Sequence, residues 1–536
     1  MLRSPPCLRT ISLILVPLPS LLTMTWSATG KKYTLLLQIA SISALALYGW
    51  DAGIMGGILN TPQFDRQIYA ANTEVTSFIS SGIILGDIFG SAIIAPLSWT
   101  VGRRVSILLS CWVALIGIII QTAAVNSTMM IVGRTVLGLG NGAISAAVPV
   151  FVHESSVGKK ARNADERTTQ VMWNIGLSVA AISVVAWIGL GVYKSPFYHG
   201  WRVLLSSQAI FVLVPIVIFH GVLESPRWLY AKGRIQEGDA SLERLCGKSV
   251  SDPIVKAQRN EILAAIRLEE ADTRRITTAS FFRNDTTETK VVKRIWISWL
   301  LQVGKPFFGG NLITYYGKSI ISTLHFSADI TAIVTAALNS MVTLGVIMSF
   351  WTVRRFGRKD ILLFGSVVQV SAILIFTVLG NLPDSMTTNA TRWAQIGMLF
   401  WFEAGSGLSW IWMVYLYAIE IVPTGYRGQA GGIGNVGVWM MAFVFVYSGP
   451  IAIQRVGIKF FILFILGGSI VTVLVAIFVK ETKGLTLEEI DLLWASEEYR
   501  IRNKDAQVIG DSVSGDSEHK SIADSEGTGC SAEKVV

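Results

Sequence analysis

Charged side chains are scarce in this sequence. Asp, Glu, Lys and Arg make up 15% of its 536 residues against 51% hydrophobic ones, and mean hydropathy is +0.53. A soluble domain of this length would leave too much apolar surface facing water, so the chain belongs in a bilayer. Cysteine is scarce too: Cys7, Cys111, Cys246 and Cys530 show neither metal-ligand spacing nor a disulfide framework. The five histidines join no His/Asp cluster and no nucleophile–base pair, and His153 beside Glu154 reads as a helix-end residue. An enzyme, a metal site or another cofactor is therefore not expected. Long stretches of strict apolar–polar alternation are also missing, which argues against a transmembrane barrel and for helices.

What is present is a series of twelve apolar runs of membrane-spanning length. They lie at 34–58, 74–98, 104–124, 129–153, 167–190, 202–223, 292–317, 329–352, 360–380, 394–419, 429–449 and 457–479. Basic residues crowd alternate connections: Arg103 and Arg104; Lys159, Lys160 and Arg162; the segment 224–291; Arg354, Arg355, Arg358 and Lys359; Arg427. Connections 59–73 and 381–392 are poor in them, so the positive-inside rule puts both termini in the cytoplasm. The net charge of +9 is then topological and gives no reason to expect nucleic acid.

The expected organisation is a cytoplasmic segment 1–33, a six-helix bundle 34–223, a cytoplasmic loop with short helices 224–291, a second six-helix bundle 292–479, and a cytoplasmic tail 480–536. Residues 1–22 pair a basic start with an apolar run broken by Pro17 and Pro19, the form of a signal peptide. The polar lead opening at Met24 favours a dispensable extension up to residue 23 instead. The tail after Trp494, rich in Ser, Asp, Glu and Lys, reads as disordered.

The two halves echo each other. TVGRRVSILLS from Thr100 follows the second run, and RRFGRKDILLFG from Arg354 follows the eighth. Each half then places an acid after its fourth run and an arginine beyond it: Glu154 with Arg162, and Glu420 with Arg427. Further motifs are YGWDAGIMGG from Tyr48, GRTVLGLGNG from Gly133, ESPRWL from Glu224, GGNLITYYG from Gly309, EIVPTGYRG from Glu420 and ETKGLTLEEID from Glu481. In these motifs, and in their order, the chain resembles the sugar porter family of the major facilitator superfamily, in its fungal branch, over residues 34–494.

The resemblance implies an all-α membrane protein with twelve transmembrane helices in two pseudo-symmetric six-helix halves. It implies alternating-access transport of a sugar or polyol, with protons as the second partner, by a monomer in the plasma membrane. Substrate would bind at mid-membrane between the halves. Arg103, Arg104, Glu154 and Arg162, with Arg358, Glu420 and Arg427, would form cytoplasmic charge clusters that latch the outward-open state. The acid that the family sets three residues before each loop glycine is here Trp99 and Arg354, so gating contacts must be arranged differently.

Asp51 lies within the first apolar run, where a carboxylate costs roughly 2.5–3.5 kcal/mol even on lenient insertion scales. By resemblance it matches the proton site of sugar/proton symporters, with Arg134 facing it from the fourth helix. A guanidinium within reach favours the carboxylate and burial disfavours it, so separating the pair would turn geometry into proton affinity. A static packing pair is the alternative, and with it a proton-independent facilitator.

Sugars are held by amides and hydroxyls, with aromatic faces against the ring. By resemblance the substrate set is Tyr48, Gln170, Gln302, Asn311, Tyr315 with Tyr316, and Trp410. The match is incomplete. Lys305 and Pro306 stand where paired glutamines are usual, Val438 beside Trp439 and Ala442 replace amides, and Ile411 and Trp412 replace a Gly-Pro. A lysine near the cavity calls for an anion: an intramembrane acid, for which Asp87 and Glu403 are candidates, or a substrate carboxylate of a sugar acid or quinate-like polyol. Sequons at Asn126 and Asn389 fall in expected external loops, and a third at Asn284 falls in the cytoplasmic one. A nutrient sensor on the same fold is the remaining rival, and the modest tail argues against it.

Overall fold

The computed structural model describes residues 28–58, 62–68, 72–155, 164–195, 199–273, 289–422, 427–485, 487–495 and 497. Among these the regular structure is helical throughout. The first bundle comprises α1 (Lys31–Ile58), α2 (Thr73–Val101), α3 (Arg103–Thr122), α4 (Ser127–Ser155), α5 (Ala164–Lys194) and α6 (Gly200–Gly221). The second holds α7 in two pieces, α7a (Val291–Gly304) and α7b (Gly310–Ser322), then α8 (Ala328–Arg355) and α9 (Arg358–Gly380). It continues with α10, likewise split into α10a (Asn389–Leu408) and α10b (Trp410–Ile421), then α11 (Arg427–Val456) and α12 (Ile462–Phe478).

All twelve expected runs are therefore helical. By length and apolarity nine described helices could cross a membrane, the last being the 49-residue stretch Ala430–Phe478 that holds both α11 and α12. The two split helices fall short of that test for local reasons. In α7, Pro306 lacks an N–H within the 3₁₀ turn Lys305–Phe308, and Gly309 adopts φ +91°, which ends one helix and starts the next. In α10 the break is at Ser409 (φ −128°, ψ −79°), whose hydroxyl donates back to the Gly405 carbonyl at 2.7 Å.

Small residues let α2 and α4 touch backbone to backbone. A Cβ on Gly138 would lie 1.9 Å from the Ile83 carbonyl oxygen, and one on Gly86 would lie 2.1 Å from that of Thr135. With no hydrophobic drive between helices in lipid, such close packing is what holds the first bundle together. Gly138→Leu is expected to lower stability by about 3 kcal/mol or to prevent folding. Thermal unfolding in detergent reads this directly, and an unshifted midpoint would refute it.

The halves meet at several helix pairs. Tyr48 of α1 packs edge-on to Trp439 of α11 with ring centroids 5.0 Å apart, and Phe78 of α2 meets Tyr447 of α11 at 5.8 Å. Between α5 and α8, Trp187 Nε1 donates to Ser340 Oγ at 2.9 Å and Ser183 Oγ to the Asn339 carbonyl at 2.9 Å. Asn435 Nδ2 of α11 donates to Ser145 Oγ of α4 at 2.9 Å.

The segment between the bundles folds into three helices, Pro226–Ala231, Ile235–Cys246 and Pro253–Thr273, the last of 21 residues. Asp239 ties them together, accepting from Tyr230 Oη at 2.7 Å and from Arg259 Nε at 2.7 Å. After α12 a further helix, Leu487–Trp494, is held by an ion pair between Asp491 and Arg294 at 2.5 Å. Residues 1–27, Asn284 and the tail beyond 497 lie outside the described residues.

Candidate functional site

Asp51 and Arg134 meet as expected, and both are fully buried. The pair is bidentate: Nη1 donates to Oδ1 at 3.1 Å and Nη2 to Oδ2 at 2.9 Å, a fork that adds geometric specificity to charge. The third guanidinium donor, Nε, is taken by the Ile79 carbonyl of α2 at 2.6 Å. Two residues that the sequence reading passed over complete the network. Gln208 of α6 donates to Asp51 Oδ1 at 3.2 Å, and its own Oε1 accepts from Gln121 of α3 at 2.9 Å. Elements α1, α2, α3, α4 and α6 thus all converge on one carboxylate.

Two turns along α4 from Arg134, Asn141 donates to Asp87 Oδ1 at 2.8 Å. Asp87 is wholly buried on α2, and its Oδ2 has no hydrogen-bond partner among the described residues. One more turn on is Ser145, which binds Asn435 of the other half. Arg134, Asn141 and Ser145 lie along one face of α4, so one helix carries polar contacts from the Asp51 pair to the junction of the halves.

At the loop ends each half repeats one circuit. Arg103 donates through Nε and Nη2 to Glu154, with Nη2 2.9 Å from Oε1, and Glu154 Oε2 also accepts from Ser225 Oγ at 2.6 Å. Glu224 caps α3, accepting the Arg103 N–H at 3.0 Å, the Arg104 N–H at 3.1 Å and its neighbour Ser225 N–H at 2.9 Å. In the second half Arg358 pairs with Glu420 at 3.3 Å, and Glu420 accepts from Thr482 Oγ1 at 2.6 Å. Glu481 caps α9 through the Arg358, Lys359, Thr482 and Lys483 N–H groups at 2.8, 3.1, 3.0 and 2.8 Å. Both caps exploit the four unpaired N–H groups and the positive end of a helix.

Trp99, which stands in place of a family acid, serves the first circuit through its ring. The Arg103 guanidinium lies 5.1 Å from one ring centroid of Trp99 and the Lys232 ammonium 5.2 Å, while its carbonyl accepts from Trp228 Nε1 at 2.9 Å. Arg354, the counterpart in the second half, is exposed.

At the break in α7, Lys305 places its ammonium 5.1 Å from the ring centroid of Tyr415 on α10b. Tyr415, Asp87 and Asp51 are the electrostatic neighbours of Tyr48, which itself packs on Trp439. Tyr315 of α7b belongs to the same group, with Tyr48 and Asp51 as neighbours. Its hydroxyl and Trp439 Nε1 are buried without hydrogen-bond partners among the described residues.

Against this geometry, comparison with known proteins is decisive. The family model described as "Sugar (and other) transporter" matches residues 36–494. The chain belongs to the sugar transporter family. It is 26% identical to the MFS-type transporter oryC of Aspergillus oryzae over 90% of this chain and 89% of that one. It is 27% identical to Hexose transporter 2 of Kluyveromyces lactis over 84% and 80% respectively. In fold it is similar to the proton:xylose symporter XylE bound to 6-bromo-6-deoxy-D-glucose, with TM-score 0.71 and 20% identity, covering 87% of this chain and 100% of that one. This sugar transporter family member is a multi-pass membrane carrier of the major facilitator fold and not an enzyme.

Its anticipated site residues land unevenly. Tyr48 packs on Trp439 of the other half, Tyr315 is buried on α7b, Lys305 is half-buried against Tyr415, and Asn311 stands half-buried in the first turn of α7b. Gln302 is buried against Gly434, 3.4 Å from Ser298 Oγ. Trp410 is fully buried. Its N–H is committed to α9, at 2.9 Å from Ser366 Oγ, and its ring packs on Phe308 at 4.6 Å. Tyr415, five residues on and a turn of about 140° around a helix from Trp410, faces the Lys305 ammonium.

Arg104 departs from its cluster, with Nε on the Phe219 carbonyl at 2.8 Å and Nη2 on that of His220 at 2.6 Å. Among the described residues the ion pairs of Arg103 and Arg358 close within their own halves. Arg162 and the side chains of Gln170 and Arg427 lie outside the described residues. Glu403 is buried on α10a. Asn126 is exposed and caps α4 through the Met129 N–H at 2.8 Å. Asn389 is exposed in the first turn of α10a, where the hydroxyl of its sequon threonine, Thr391, is tied into a capping box with Thr388. Residues Glu224, Ser225, Glu481 and Thr482 sit in quoted motifs, yet their capping role was not read from the sequence.

Proposed function

We propose that this carrier is a proton symporter of a sugar or related polyol, and that Asp51 is the group that binds the coupled proton. The observation that carries the reading is the buried bidentate pair of Asp51 with Arg134, held from five helices. In the paired geometry the guanidinium and Gln208 favour the carboxylate. A local shift of α1 against α4 within the first half, accompanying the rocking step, that draws Arg134 from Asp51 leaves an acid in a low-dielectric site, where it takes up a proton. Solute bound between the halves at Tyr48, Asn311, Tyr315 and Tyr415 links the two events, because Tyr48 and Asp51 share α1. The circuits at Glu154 and Glu420 lie at the loop ends, where they fasten each half as a rigid body for the rocking step. The reading extends to a monomer in the plasma membrane.

In energised yeast lacking its own carriers, adding the transported solute to unbuffered medium is expected to raise external pH as protons enter with it. A protonophore should abolish accumulation. Uptake with no pH change, unaffected by the protonophore, would establish a facilitator and return Asp51 and Arg134 to a packing role.

A further inference from the structure

We propose that the solute carries a carboxylate, recognised by Lys305, so that the substrate class is a sugar acid or hydroxylated carboxylic acid and not a neutral hexose. The proposal deepens the symport reading and rests on it for the proton, but not for the anion. Lys305 sits where α7 breaks, half-buried within the helical bundle, and makes no salt bridge among the described residues. Its ammonium contacts the ring of Tyr415, a face that tolerates a cation but leaves its three donors unspent. Among the described residues no salt bridge joins it to the intramembrane acids: Asp51 is held by Arg134 and Gln208, Asp87 through one oxygen by Asn141, and Glu403 is buried on α10a.

Two more donors point to the same ligand chemistry. Trp439 Nε1 and the Tyr315 hydroxyl are buried without hydrogen-bond partners among the described residues, and the Trp439 ring packs on Tyr48 of the other half at 5.0 Å. An unpaired ammonium, an N–H and an O–H around an aromatic wall suit an anion with several oxygen atoms. Neutral sugars are bound through amides, which both donate and accept; an ammonium cannot accept.

Proteoliposomes with an imposed pH gradient and labelled galacturonate or xylose test this. Wild type is expected to take galacturonate roughly ten- to hundredfold faster than xylose at low concentration. Lys305→Gln should reverse the preference and Lys305→Arg should keep it. A monoanion entering with one proton moves no net charge, so an inside-negative potential should leave galacturonate uptake unchanged. Shifts in unfolding temperature of each purified variant on adding either solute give the same comparison without transport and confirm folding. Xylose preference in wild type that Lys305→Gln leaves intact would overturn the proposal. So would a loss of galacturonate preference in Asp87→Asn but not in Lys305→Gln. Galacturonate preference that is reversed by Lys305→Gln yet indifferent to the pH gradient would support the anion and defeat symport alone.

Discussion

Replacing Asp51 by asparagine is expected to abolish accumulation of solute while leaving its entry down a gradient. A membrane potential of about 100 mV contributes roughly 2.3 kcal/mol per charge and one unit of pH about 1.4 kcal/mol. For a neutral solute entering with one proton this corresponds to a limiting gradient of several hundredfold, at about 1.4 kcal/mol per factor of ten. For an anion entering with one proton only the pH component acts, and the limit falls to about tenfold. Asp51→Asn should bring the ratio to one for a neutral solute and below one for an anion, which then crosses alone against the inside-negative potential.

The substitution also leaves Arg134 without its counter-charge at a site where both side chains are fully buried. Breaking such a pair costs about 3–5 kcal/mol, so loss of transport by itself would be ambiguous. Removing both charges in Asp51→Asn/Arg134→Gln relieves that cost, since the Gln208 amide remains to donate and the Ile79 carbonyl to accept. The double variant should unfold closer to wild type and equilibrate solute without accumulating it. Accumulation retained by a well-folded Asp51→Asn would remove Asp51 from coupling.

How far the sequence carried depended on how rare each signal is. A charge in an apolar run is rare, so Asp51 and Arg134 were legible, and their pairing was confirmed to the level of individual atoms. Amides in such runs are ordinary, and nothing marked Gln121 and Gln208 as the rest of the network. Hydropathy located all twelve helices but averaged over the breaks, although Pro306 and Gly309 stood in plain view. The breaks matter because a helix restarted at Ser409 fixes which of Trp410 and Tyr415 faces the other half. Sequence position alone could not choose between them. Glu224 and Glu481 were hidden for another reason: each acts on a helix start more than a hundred residues away, and only the closed bundle brings them there.

That closure makes Glu224→Ala the second large effect. One carboxylate serves the Arg103, Arg104 and Ser225 N–H groups, and Arg103 in turn holds Glu154. Removing it strips α3 of its cap, leaves charge-assisted bonds unmade and frees the Arg103 backbone that aims the guanidinium. The bonds are coupled, so their loss is about 3 kcal/mol and not the sum of separate values of roughly 1.5–3 each. Unfolding temperature should fall by several degrees. Maximal transport rate should fall with it, while apparent affinity for solute stays near wild type, because no substrate contact is touched.

Gly102→Ala tests the same contact from the other side. Gly102 holds φ +106°, and a Cβ there would lie 2.3 Å from Glu224 Oε2, so the alanine both strains the backbone and expels the carboxylate. If the cap is what Glu224 provides, Gly102→Ala and Glu224→Ala should lose similar stability and their combination little more. Additive losses would mean that the two residues act separately. The repeat of this circuit makes the second half an internal control: Glu481→Ala should give the same pattern at α9, where a Cβ on Gly357 would lie 2.1 Å from Glu481 Oε2. A carboxylate placed alike in both halves, each reaching back to the start of that half's third helix, is what two bodies that must move as units require.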